Sequence, residues 1–222
     1  MIFFPFTFLL VVGALLLLVV LFLFIQIGLI SYAYERLGVS AELILPLLLL
    51  SLLGSAFNIP VSRLESGPVL SKQVVDFFGI RYVIPALERR RPTILAVNVG
   101  GAVVPTCLSL YLLAHSDLIW RGLLGAVIVS VIVHRLARPV PGVGIAIPMF
   151  IPPLIAAVTG LVLAPEHAPA LAYIAGTLGC LIGADLLNIA KLTGLGAPVA
   201  SIGGAGTFDG IFFTGIVAVL LT

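Results

Sequence analysis

A chain of 222 residues that is 61% hydrophobic and 9% charged, with a mean hydropathy of +1.30, excludes a soluble domain, because so apolar a surface needs lipid to cover it. The formal charge of +2 is small, and no nucleic-acid partner is expected. Several apolar runs approach the roughly 20 residues that cross a bilayer as helix, and none alternates as barrel strands do. The expected fold is therefore all-α and polytopic, a single transmembrane domain over 1–222 in contact with the lipid bilayer.

Seven spans are predicted, at about 3–31, 41–61, 93–114, 118–134, 143–163, 169–190 and 203–222. The first has no basic n-region, an overlong apolar run and no small-residue cleavage site, so it reads as a retained span. Between the second and third lies a polar loop, 62–92. Within it Gln73 to Ile84 is β-branched and aromatic around Gly79, which suggests a short hairpin. A solvated loop with an incidental apolar patch is the other reading, and Glu88 to Arg91 reads as a topology determinant. The fourth span is short and opens on Trp120 and Arg121, which suit a membrane interface. The fifth carries Pro148, Pro152 and Pro153 and must be kinked, broken or re-entrant. Cys107 and Cys180 form no CxxC pair, and His115, His134 and His167 lie at span ends or in loops. No metal or cofactor is expected.

The cations sort by loop. Arg63, Lys72, Arg81, Arg89, Arg90, Arg91, Arg135, Arg138 and Lys191 fall on one side of the predicted spans, Arg36 and Arg121 on the other. This bias predicts a cytoplasmic N-terminus and an outside C-terminus.

A faint internal repeat accompanies the spans. Leu53-Gly-Ser-Ala-Phe-Asn-Ile59 is similar to Ile182-Gly-Ala-Asp-Leu-Leu-Asn-Ile189, and Asn98-Val-Gly-Gly-Ala102 is similar to Ser201-Ile-Gly-Gly-Ala205. A 3+1+3 parallel arrangement follows, with repeats 1–114 and 143–222 joined by helix 118–134. Convergent small-residue packing explains the same match.

Of the nine acidic residues, Asp185 and Asp209 alone fall inside long apolar segments. A carboxylate in hydrocarbon costs roughly 2.5–3.5 kcal/mol, so such acids face a bundle interior or a watery cavity and are functional candidates. The predicted topology places both near the cytoplasmic end of consecutive helices, where they can face each other. Gly183, Gly203, Gly204, Gly206 and Gly210 thin the backbone around them, and Gly206 and Gly210 would give access to a substrate. Asn188, Pro148, Pro152 and Pro153 complete the candidate support. Two facing carboxylates cannot both ionise; they share a proton, and one activates water while the other donates to a carbonyl oxygen. The plainer reading is that each Asp hydrogen-bonds across helices, to Asn188, Thr193 or Thr207.

The segments containing Ala184-Asp-Leu-Leu-Asn188 and Gly206-Thr-Phe-Asp-Gly210, with Phe57 to Pro60 and Asn98 to Pro105, resemble an uncharacterised prokaryotic membrane family, domain of unknown function 1614. The aspartate helices also resemble, remotely, the presenilin and signal-peptide-peptidase group of intramembrane aspartyl proteases. In that group one Asp lies on an inward helix and the second in a GxGD motif opening the next. Asp185 and Asp209 match those two positions. Ala184 departs from the group's Tyr, Phe208 from the second Gly of GxGD, and no Pro-Ala-Leu motif follows Asp209. Pro169-Ala-Leu171 lies upstream, at a helix start where proline is ordinary. The resemblance implies hydrolysis of a transmembrane peptide substrate. Two rival classes remain: a small proton- or cation-coupled transporter with the fifth span as gate, and a scaffold or accessory subunit whose acids hold a partner helix. The sequence sets no oligomeric state.

Overall fold

The computed structural model describes residues 4–64, 69–77, 80–88, 92–140, 144–192, 198–204 and 210–222; for 4–10, 69–77 and 80–88 it describes the backbone. The chain is mostly helical. Among the described residues, three helices are long and apolar enough to cross a membrane by length and composition: Val11–Arg36, Ile119–Leu136 and Pro165–Leu192.

The elements run α1 (Phe4–Arg36), α2 (Ala41–Gly54), β1 (Asn58–Leu64), β2 (Val69–Phe77), β3 (Ile80–Glu88) and β4 (Thr93–Asn98). A wide π-helical turn, Val99–Val103, then leads into α3 (Val104–His115), followed by α4 (Ile119–Leu136), β5 (Arg138–Val140), β6 (Gly144–Ala146) and α5 (Ile151–Leu163). After a 3-10 turn come α6 (Ala168–Cys180), a second π turn (Leu181–Asp185), a 3-10 turn (Leu186–Asn188), α7 (Ile189–Leu192), β7 (Val199–Ile202) and α8 (Gly210–Leu220).

The strands correct the all-α expectation. Helix α2 stops at Gly54, so residues 58–61 of the expected second span are strand, and residues 93–98 of the third are strand as well. Hydropathy cannot separate a short apolar strand from the start of a membrane helix; Ile94-Leu-Ala-Val97 is apolar enough for either. Long-range pairing decides it. β4 lies between β1, antiparallel, and β7, parallel, with Ile94 opposite Val199 and Val97 opposite Ile202. β1 is an edge strand, which accommodates Pro60 beside a register shift.

The expected short hairpin is present and longer than its sequence signal. β2 and β3 pair antiparallel from Val69 opposite Glu88 to Phe77 opposite Ile80, forming a two-stranded sheet. β5 and β6 form another. The fifth predicted span is divided: residues 144–146 are strand, Pro148 is exposed ahead of the helix, and Pro152 and Pro153 are buried in the first turn of α5. Proline suits that position because a first-turn N–H has no helical acceptor.

Chain order places every strand at one end of the helices. β1 follows α2, β4 leads to α3, β5 follows α4, β6 precedes α5, and β7 links α7 to α8. Shorter connections close the opposite end, at 37–40, 116–118 and 164–167. The nine cations that sorted together belong to the strand-bearing connections and the helix ends entering them.

At the centre lies α6, buried without interruption from Leu171 to Cys180. A helix apolar on all sides belongs inside a bundle. Its Ala and Gly residues let α4, α5 and α8 approach closely, and Tyr173 and Ile174 pack with Leu108, Leu112, Phe212 and Ile216. The end of α1 joins this core through Ala33, Tyr34 and Leu37.

Candidate functional site

Asp185 sits where the long helical stretch Pro165–Leu192 loses its α geometry. The π turn Leu181–Asp185 and the 3-10 turn Leu186–Asn188 follow α6 directly. Asn188, fully buried, holds this break. Its side-chain amide donates to the carbonyls of Gly183 (2.8 Å) and Ala184 (2.9 Å), which an uninterrupted α-helix would pair with backbone N–H groups four residues on. Gly183 packs against α4: a Cβ there would come within 2.9 Å of Ser130 Cα. These two residues support Asp185 from beneath; neither lines the cavity it faces.

The Asp185 carboxylate accepts a hydrogen bond from the backbone N–H of Gly203, at 3.1 Å. Gly203, the turn residue after β7, has φ +73, a left-handed conformation that favours glycine. It also lies against the π turn after β4, where a Cβ would meet Ala102 N at 2.7 Å. Gly203 of the second repeat stretch thus lies against Ala102 of the first. Their strands pair with Ala96 opposite Ser201, two positions away from the sequence alignment.

Behind the β7 turn is a small polar network. Asn98 donates to Ser55 O (2.7 Å) and Asn58 Oδ1 (3.1 Å), and its own Oδ1 accepts from Gly101 N (2.8 Å). Ser201 Oγ donates to Asn58 Oδ1. Asn98 is buried, so these bonds satisfy an amide that would otherwise cost stability. The network ties β1, β4 and β7 together at the point where β7 turns toward Asp185.

A cavity of about 150 Å³ opens beside the carboxylate. Its wall is made by Asp185, Cys180 and Ala184 from the broken helix, Val199 to Ile202 and Gly204 from β7 and its turn, Gly144, Ile145 and Ile147 around β6, and Gly210 and Ile211 from α8. At roughly 30 Å³ per water, it holds a few waters or one peptide group with a side chain.

Of the residues singled out from sequence, Asp185, Gly204 and Gly210 come together on this cavity, and Gly203 bonds the carboxylate from beside it. Pro148 lies exposed just beyond Ile147, whereas Pro152 and Pro153 are built into α5. Asp209 and Gly206 lie outside the described residues, and so do Thr193 and Thr207. Sequence reasoning passed over Gly203 N–H as the partner of Asp185, and over the lining by Ser201, Cys180 and Ile145. The Ser201-Ile-Gly-Gly repeat was the available signal for the first of these. Among the described residues no group of three or more His, Cys, Asp or Glu could hold a metal ion.

Residues 52–221 match the family model described as "Protein of unknown function (DUF1614)". The chain belongs to this family. The matched stretch contains all the strands, the cavity and Asp185, and it leaves α1 outside. No curated protein and no solved structure matches the chain.

Proposed function

We propose that this is an integral membrane hydrolase with a di-aspartate site, cutting peptide bonds of membrane-embedded substrates. The observation carrying this reading is the cavity: Asp185 forms one wall and Gly210, covalently next to Asp209, forms another. In the proposed reaction one ionised carboxylate takes a proton from water as the water oxygen attacks the scissile carbonyl carbon. The protonated carboxyl donates to the carbonyl oxygen. Collapse of the tetrahedral intermediate then breaks the C–N bond, and the leaving amine takes up a proton. The Gly203 N–H fixes one Asp185 oxygen during these transfers.

Seven crossings, with the strand-bearing end and its nine cations in the cytoplasm of a prokaryotic cell, belong to this proposal. Strands with unpaired edges are not stable in hydrocarbon, so the sheets sit at the interface, and the shorter helices complete their crossings beside it. β7 pairs β4 on one side and lines the cavity, so an extended substrate segment can reach Asp185 along that strand. The β2–β3 hairpin offers further edge strand nearby in the chain.

The test uses purified protein in detergent with a single-span reporter. Wild type should cleave, and both Asp185→Asn and Asp209→Asn should lose at least a hundredfold in rate, the scale expected when an acid or base is removed. Cleavage by all three alike, or by none, rejects the hydrolase. A second reading is favoured by the break itself: an interrupted helix with an acid at the interruption is a plan used by ion-coupled carriers. Proton- or cation-driven uptake into proteoliposomes, abolished by Asp185→Asn without any reporter cleavage, would select it.

A further inference from the structure

The first helix carries an unanswered polar group. Gln26 is the only residue with a polar side chain between Val11 and Ile30, in a helix of which none of the most apolar eighteen residues is buried within the chain. It is exposed and makes no hydrogen bond with the described residues. Helical spacing sets Gln26 four residues before Ile30 and seven before Ala33, on the stripe that continues into the buried Ala33 and Leu37. Phe22, four residues earlier and 58% exposed, extends the stripe toward the N-terminus.

An amide in hydrocarbon needs both a donor and an acceptor, and a second amide supplies both. A two-fold axis brings each residue of a helix face against its own copy, so glutamine is self-complementary there. We propose that α1 is a homodimerisation helix, with Gln26 of one copy bonded to Gln26 of a second copy and Phe22 packed beside it. The occupant of this face is the same chain, since the residue that needs a partner is itself that partner. The proposal is independent of the hydrolase reading and concerns a helix outside the matched family stretch.

The full-length protein, in a Cys107→Ser and Cys180→Ala background, tests it. Phe22→Cys and Gln26→Cys should each form a disulfide-linked dimer in membranes on mild oxidation. Phe24→Cys, about 160° around the helix from Gln26, should not. By energy transfer in bilayers, Gln26→Leu should raise the dimer dissociation constant about threefold to thirtyfold, and Gln26→Asn should restore part of the loss. The proposal is overturned by a monomer at every protein-to-lipid ratio, by equal cross-linking at 22 and 24, by an unchanged dissociation constant in Gln26→Leu, or by cross-linking only to a different protein.

Discussion

At the scale of single residues, Gly203 joins two parts of the candidate site, the Asp185 carboxylate and the turn after β4. It donates to Asp185, adopts a left-handed φ and rests on Ala102, three constraints that no other residue type satisfies together. Gly203→Ala should therefore lower stability by about 1–3 kcal/mol, through backbone strain and overpacking. Thermal unfolding in detergent would register this as a fall in Tm. A Gly204→Ala control has no left-handed φ but would meet Asn98 Cβ and Ser201 Oγ at 2.8 Å. Its own loss measures overpacking, and the excess at Gly203 measures backbone strain. Asp185 was legible because a carboxylate within an apolar run is conspicuous in any sequence. Its partner was not, since a backbone N–H leaves no mark of its own, and the glycine that frees it reads equally well as helix packing.

Among the elements, hydropathy found α1, α4 and the long stretch through α6, where a run of apolar residues and a helix coincide. It failed at β1 and β4, where strand identity comes from partners far away in the chain rather than from local pattern. The β2–β3 hairpin lay between these cases: β-branched residues around Gly79 marked it, while its full length depended on cross-strand register that composition does not carry. Different stabilities follow from these pairings. β4 is flanked on both sides, whereas the hairpin is a two-stranded unit of a kind that is marginal in water. Hydrogen–deuterium exchange should find the amides of Leu95 and Val97 protected at least tenfold more than those of Val74 and Val75. Equal protection would mean that the hairpin is covered by another surface.

For the molecule as a whole, the strands and nine of the eleven basic residues share one end, and the proposed cytoplasmic placement of that end is testable. In cells, Arg138→Cys on β5 should react with a membrane-impermeant maleimide only after the membrane is opened, whereas Arg121→Cys at the start of α4 should react from outside. Both variants would carry Cys107→Ser, because Cys107 is exposed. The reverse pattern would invert the molecule and move the Asp185 cavity to the opposite compartment. Loop charge was enough to predict a sidedness, and chain order explains why one end could hold so many cations: the long connections are all there.

The parallel pairing of β4 with β7 also sets a schedule for biogenesis. β4 meets β1 almost at once, but its other edge stays open until β7 has been made, roughly a hundred residues later and, at about 5–20 residues per second, some 5–20 s of translation. During that interval the nascent chain presents a bare apolar strand edge, and the pocket around Asp185 lacks a wall. The site therefore closes only after β7 has been synthesised. A ribosome stalled before Val199 would leave the carboxylate in place with nothing built across from it.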